Sequence, residues 1–100
     1  MLRFLKVTGD SLYPLIREGD FVLVSKIPFL FVHLKFGDIV VFDHPVYGRL
    51  IKKIEKISAD GEEIFVVGIH ELSVDSRQFG PVDRRIILGK VIWHIKQPGR

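Results

Sequence analysis

The sequence predicts an all-β or β-dominated domain with at most one short helix. β-Branched and aromatic residues form short runs, and Gly, Pro or Asp bounds each run. The length of 100 residues, 47% of them hydrophobic, suits a single domain over residues 1–100 with one core. The runs are too short or too β-branched to favour helices, and they are Phe21–Ser25, Asp38–Phe42, Arg49–Ile54, Glu63–Val67 and Ile86–Trp93.

Turns and one helical segment are expected between these runs. Asp60-Gly61 predicts a turn, so the chain from about Leu50 to Val67 is expected to form a hairpin. Residues 11–18 are expected to hold the short helix, with Pro14 in its first turn, where a missing amide donor costs nothing. Asp20 and Asp38 each follow a glycine and precede an apolar run, which favours turn residues over catalytic carboxylates.

The amino-acid composition excludes several classes of function. The chain has no cysteine, which excludes disulfides, thiolate catalysis and cysteine-ligated zinc. No apolar run approaches the roughly eighteen residues of a membrane-spanning helix, and the start lacks an export signal, so a cytoplasmic location is expected. The formal net charge is +3, but basic residues alternate with acids, which predicts a solvated surface and no nucleic-acid partner.

Ser11 and Lys52 are the residues whose chemistry points to a reaction. A serine hydroxyl becomes a nucleophile when a base takes its proton, and a lysine can be that base once burial has lowered its pKa. In a strand, Lys52 shares a face with Leu50 and Ile54. Lys53 lies on the opposite face beside an acid, so Lys52 is the better candidate for burial.

Four blocks of the sequence carry a family resemblance in their order and spacing. They are Gly9-Asp10-Ser11-Leu12-Tyr13-Pro14-Leu15 followed by Gly19-Asp20, then Gly37-Asp38-Ile39-Val40-Val41-Phe42, Ile51-Lys52-Lys53-Ile54, and Ser73-Val74-Asp75-Ser76-Arg77-Gln78-Phe79-Gly80-Pro81-Val82. From about Val7 to Trp93 the chain resembles the catalytic core of type I signal peptidases, which are serine endopeptidases with a Ser/Lys dyad. The implied fold is a small β-barrel like that of signal peptidases and self-cleaving repressors.

The resemblance implies a role for each residue of the site. Ser11 would be the nucleophile and Lys52 the general base, with no metal and no cofactor. Ser73 matches the serine that orients the lysine, because a flexible amine needs positioning. Asp75 and Arg77 match a structural ion pair near the site. The implied reaction removes an N-terminal leader or propeptide from a precursor protein through an acyl-enzyme, with the substrate bound as an extended peptide.

The oxyanion hole and two other positions depart from the family pattern. The backbone amide of Ser11 is the natural first donor to the oxyanion. The second donor is open between Gly9 and Thr8, because many signal peptidases carry a hydroxylated residue where this chain has Gly9. Lys53 stands where the family usually has an arginine, and residues 68–72 differ from the usual Gly-Asp-Asn turn.

Other interpretations of the chain lead to different functions. Its brevity most resembles soluble proteases that mature nickel-type superoxide dismutase precursors. Self-cleaving repressors share the dyad, but they carry a DNA-binding helical domain for which we expect no room. The alternative from another class is a non-catalytic small β-barrel module that binds a protein or a peptide strand, which leaves the four matching blocks unexplained.

Histidines offer a rival mechanism that the sequence does not favour. Ser11 with His44 or His70 and an aspartate would form a conventional triad, but neither histidine lies in a motif. The spacing of the four histidines is equally unlike that of a metal site.

Residues 27–34 form an apolar connecting segment. Core packing is the favoured interpretation. Contact with a membrane surface or a protein partner through Phe29, Leu30 and Phe31 is the alternative. The oligomeric state is left open.

Overall fold

The structure, a computed structural model, describes residues 2–9, 12–26, 33–69 and 73–97. The predictions made for Ser11, for His70 and for the segment with Phe29, Leu30 and Phe31 therefore lie outside the described residues.

The predicted β-dominated fold is confirmed. The described strands pair into one antiparallel sheet in the order β1-β2-β7-β3-β4-β5-β6. Their bounds are β1 (Leu2–Lys6), β2 (Phe21–Ser25), β3 (Ile39–His44), β4 (Gly48–Ile57), β5 (Glu63–Val67), β6 (Val82–Asp83) and β7 (Ile87–Ile95). β2 and β5 have the bounds that the sequence predicts, and the expected hairpin joins β4 to β5.

The described part of residues 11–18 forms turns, which corrects the helix predicted there. One hydrogen bond, 3.1 Å from the amide of Ile16 to the carbonyl of Leu12, closes a single turn. Tyr13 precedes Pro14, and the proline ring disfavours the α-helical backbone conformation in the residue before it. Within the described residues the α-helix is α1 (Ser76–Phe79), and a 3₁₀ turn follows at Arg84–Ile86.

Buried side chains cover both faces of β3, because successive strand residues point to opposite sides. Val40 and Phe42 belong to one cluster, whose other buried members are Leu34, Ile54, Ile64, Val66, Val82 and Ile87. Val41 belongs to a second cluster with Val7, Leu12, Ile16, Val22 and Val24. The single core expected from the composition is thus divided between the two sides of the sheet.

Gly89 allows β7 to pass close to β2. A Cβ atom at this position would lie 2.5 Å from Val24 Cγ1 and 2.7 Å from the carbonyl oxygen of Ser25. The register of the two strands also shifts between Leu23 and Val24. β7 thereby joins β2 to β3 in the middle of the sheet.

In the part of the chain that the structure describes, no helix combines the length and the apolar composition needed to cross a bilayer.

Candidate active site

Lys52 is buried at the centre of the sheet. It lies on β4 opposite Val40 of β3, and its exposed fraction is 1%. Burial lowers the pKa of Lys52 below the ordinary lysine value of 10.5. This is the desolvation expected from the alternation of β4. A lysine in this environment holds a neutral amine more readily than a solvated one.

Lys53 has a different environment on the other face of β4. It is half-buried, and its Nζ lies 5.8 Å from the centroid of the Phe36 ring. The sequence-based distinction between the two lysines therefore matches their burial.

Asp75 and Arg77 form the expected ion pair. Asp75 is fully buried, and its two oxygens accept from Arg77 Nε at 3.0 Å and Arg77 Nη2 at 2.7 Å. The amide of Gly68 donates to Asp75 Oδ2 at 2.9 Å. Burial alone would raise the pKa of Asp75, but these hydrogen bonds outweigh it and hold the pKa at about 2. The carboxylate is therefore ionised at neutral pH.

The Asp75–Arg77 pair acts on Lys52 through its charges. After burial, the largest influences on the pKa of Lys52 are the negative charge of Asp75, which raises it, and the positive charge of Arg77, which lowers it. The two charges oppose each other, so burial decides the direction. The pKa of Lys52 therefore stays lowered although the Asp75 carboxylate is near, because Arg77 offsets its charge.

Asp75 also begins helix α1, a role that the sequence interpretation missed. Its side chain accepts from the amide of Arg77 at 3.0 Å, and Gln78 Oε1 accepts from the amide of Asp75 at 2.9 Å. Ser76 Oγ accepts from the amide of Val66 at 2.8 Å and ties the helix to β5. The signal was present as a capping box, an aspartate followed three residues later by glutamine.

Ser73 is half-buried at the start of the segment that contains this helix. Its predicted role in orienting Lys52 stays a prediction, as does the role of Ser11.

The end of β1 and the start of β2 are joined by backbone hydrogen bonds just beyond the two strands. The amide of Val7 donates to the carbonyl of Asp20 at 2.7 Å, and the amide of Gly19 donates to the carbonyl of Val7 at 2.9 Å. Leu12 and Ile16 are buried in the cluster of Val22 and Val41. These contacts anchor the described residues on both sides of Ser11.

Gly9 has a backbone conformation that favours glycine. Its φ angle is 82°, and a side chain there would be strained even though the space around it is open. This gives a physical reason for glycine where many signal peptidases have a hydroxylated residue. Thr8 is exposed, and the second oxyanion donor stays open between Thr8 and Gly9.

Asp20 connects the residues before β2 to the end of β7. Its side chain is fully buried and accepts from the amide of Arg17 at 3.0 Å, as expected of a turn aspartate. It also accepts from the amide of Gln97 at 2.9 Å and lies 2.6 Å from His94 Nε2. The sequence interpretation assigned no partner to His94, since these residues are far apart in the chain.

His44 has a structural role in the β3–β4 hairpin. Its Nδ1 accepts from the amides of Val46 at 3.0 Å and Tyr47 at 3.2 Å. Among the described residues, no three His, Cys, Asp or Glu side chains are grouped so as to hold a metal ion.

A cleft of about 130 Å³ opens between the end of β1 and the start of β4. The end of β1 and the residues after it form one wall, and the start of β4 forms the other. Its described lining residues are Leu5, Lys6, Val7, Thr8, Val22, Val41, Arg49, Leu50 and Ile51. The side chains of Val41 and Ile51 lie on the same face of the sheet, and Lys52 lies on the opposite face.

A comparison with models of protein families finds a match over residues 1–92 to the family described as Peptidase S24-like. No curated protein shows a significant match to the chain.

Proposed function

Because the chain belongs to the Peptidase S24-like family, we propose that it is a serine endopeptidase in which Ser11 is the nucleophile and Lys52 the general base. Membership indicates a function of the serine-peptidase or self-cleaving-repressor type. The observation that carries the proposal is the complete burial of Lys52, which lowers its pKa. A buried lysine without a chemical role would cost stability and contribute little in return.

The proposed reaction has two steps that both use the neutral amine of Lys52. In the first, Ser11 Oγ attacks the scissile carbonyl carbon while Lys52 Nζ takes the hydroxyl proton. The resulting ammonium then gives that proton to the leaving amine, and the peptide C–N bond breaks. In the second, Lys52 takes a proton from water, which attacks the acyl-enzyme ester. The ester bond to Ser11 breaks, its oxygen regains a proton and the acid product leaves.

Neighbouring groups would hold these reactants in place. Ser73 is proposed to orient the amine of Lys52, and the Asp75–Arg77 ion pair lies two residues further along the chain. The amide of Ser11, with either Gly9 or Thr8, would stabilise the oxyanion.

The proposed substrate is an extended peptide that pairs with the edge of β1. β1 is an edge strand of the described sheet, so its free backbone groups can pair with a peptide. We propose an N-terminal leader or propeptide of a precursor, as in the signal peptidases and superoxide dismutase maturation proteases that the sequence resembles.

Cleavage within its own chain is the second candidate function. Membership in the Peptidase S24-like family favours it, because that family includes self-cleaving repressors. Incubation of purified wild type alone at several concentrations, beside Ser11→Ala, separates the two functions. A wild-type chain that stays intact supports action on a separate protein, whereas fragmentation of wild type at a rate independent of its concentration, with Ser11→Ala intact, supports self-cleavage.

The test of the peptidase proposal compares protein N-termini in cells that carry wild type, Ser11→Ala or Lys52→Ala. A precursor that persists in both variants and is processed by wild type is the expected result. Lys53→Ala is the matched control, because its side chain lies on the opposite face of β4 and should leave processing largely intact. Unchanged N-termini in all strains would favour the non-catalytic peptide-binding module.

A further inference from the structure

We propose that a second cavity, on the sheet face that points away from Lys52, binds a small monocarboxylate whose apolar group is about the size of a benzene ring. The cavity has a volume of about 150 Å³. Its described lining residues are Arg3, Leu5, Val24, Lys26 and Leu88. None of these residues takes part in the proposed peptidase reaction, so the site is separate from that function.

The strand registers place this cavity away from Lys52. Arg3 of β1 lies opposite Val24 of β2, so their side chains share a face of the sheet. Val24 packs in the buried cluster that contains Val41. Lys52 lies opposite Val40, the neighbour of Val41 in β3, and therefore projects from the other face. A ligand in the cavity would thus not contact the proposed base.

The floor of the cavity is apolar, and its size suits one compact hydrophobic group. Val24 is buried, and Leu5 and Leu88 are half-buried against the same cluster. Apolar protein cavities of about this volume stay dry and bind benzene. Transfer of an aromatic ring or a branched aliphatic group from water to this floor would therefore be favourable.

Two cations without salt bridges stand at the rim of the cavity. Arg3 and Lys26 are exposed, and within the described residues neither side chain forms a salt bridge. None of the described lining residues is acidic. The charge of Arg3 acts on Asp43, but that carboxylate is already bonded to Arg49 at 2.9 and 3.2 Å. A ligand carboxylate would therefore meet two available positive charges.

The apolar floor and the cationic rim together define the class of ligand. A neutral hydrophobic molecule would fill the floor and leave both cations unpaired, whereas acetate would pair with the cations and leave the floor empty. The guanidinium of Arg3 can hold a carboxylate through two parallel N–H donors, and Lys26 adds a second positive charge. An aromatic or branched aliphatic acid, such as phenylacetate, uses both parts of the cavity.

The experiment titrates the full ¹⁵N-labelled chain with three probes and follows its amide resonances by NMR. Phenylacetate carries both features of the ligand, phenylacetamide lacks the charge and acetate lacks the ring. We expect phenylacetate to bind with a Kd of about 1 mM or lower and to shift the resonances of residues 3–5, 24–26 and 88. Its affinity should be about five-fold higher than that of either control probe. About 0.5 M salt should remove most of the preference over phenylacetamide.

Neutral substitutions test the two cations. Arg3→Gln and Lys26→Gln should each weaken the binding of phenylacetate about three-fold and leave the binding of phenylacetamide unchanged. Both side chains are exposed, so neither variant should disturb the fold. Lys56→Gln is the matched control, because Lys56 is an exposed lysine whose Nζ lies over the Phe65 ring and outside the cavity lining.

Two results would overturn the proposal. One is equal affinity for phenylacetate and phenylacetamide, or resonance shifts that lie outside the cavity residues. The other is a preference for the acid that both cavity substitutions leave unchanged or that Lys56→Gln reduces equally. Ser11→Ala separates the site from the peptidase function, because this variant should bind phenylacetate as tightly as wild type whether or not wild type cleaves peptides.

Discussion

His94 Nε2 lies 2.6 Å from Asp20 Oδ2, and this contact joins β7 to the residue that precedes β2. Asp20 also holds the amides of Arg17 and Gln97, so three donors from two distant parts of the chain meet at one buried carboxylate. A buried carboxylate with several hydrogen bonds fixes the geometry of the segments that it connects.

Asp20→Ala should destabilise the fold because it leaves these three donors without their acceptor. We expect the free energy of unfolding to fall by about 3 kcal/mol, since each buried group that loses its partner costs about 1–3 kcal/mol. Urea denaturation followed by circular dichroism measures this loss. Asp60→Ala is the control: Asp60 also accepts two hydrogen bonds, but in an exposed turn where water replaces them, so its loss should be clearly smaller. Equal losses would contradict the role of Asp20.

Lys52→Met should make the protein more stable and inactive. Methionine has a similar length without the amine, so it removes the cost of burying a polar group while it fills the same space. We expect the free energy of unfolding at pH 7 to rise by about 1 kcal/mol and cleavage to fall to background. The control is Lys53→Met, whose half-buried side chain should change stability little and leave cleavage in place. A variant at position 52 that retains activity would refute the general-base assignment.

The stability difference between wild type and Lys52→Met should shrink as the pH rises. The folded pKa of Lys52 is below its unfolded value of about 10.5, so between these two values the unfolded chain binds a proton that the folded chain has released. Wild-type stability therefore rises with pH across this window, because the cost of burial disappears once the amine is neutral in both states. Denaturation of both proteins at several alkaline pH values measures the difference. A constant difference would mean that Lys52 is not desolvated.

Cleavage should rise as the pH passes through the lowered pKa of Lys52 in the folded protein, because the neutral amine is the proposed base. An activity profile that instead follows a group near pH 6.5 would indicate a histidine base.

Local alternation was sufficient to predict the environment of Lys52. Side chains on a strand alternate between faces, and Lys52 has an apolar residue two positions away on either side. The same pattern located β2 and β5, which are short and bounded by turn residues. β6 has only two residues and leaves no such pattern. The helix predicted at residues 11–18 was wrong for the described part of that segment. Its conformation depends on the burial of Leu12 and Ile16 and on the hydrogen bonds of Val7, which local pattern does not reveal.

The contacts that position the site could not be predicted from the sequence, because they join residues far apart in the chain. Asp20 and His94 are 74 residues apart, and neither lies in a pattern that names the other. The cleft likewise forms only when the end of β1 approaches the start of β4, which depends on the curvature of the whole sheet.

The free energy of unfolding should fall less in acid for Asp75→Asn than for wild type. The pKa of Asp75 is about 2 in the folded protein and near 3.8 when unfolded, so its contribution is fully present above pH 3.8 and is lost as the pH falls toward 2. A difference of this size corresponds to about 2 kcal/mol. Urea denaturation between pH 7 and pH 2.5 should show wild type and variant converging as the pH falls. Asp83→Asn is the matched control, because the pKa of Asp83 is also about 2 but its pair with Arg85 is exposed and screened by solvent. The burial of Asp75 is therefore expected to give it the larger effect, and equal acid dependence in the two variants would contradict that conclusion.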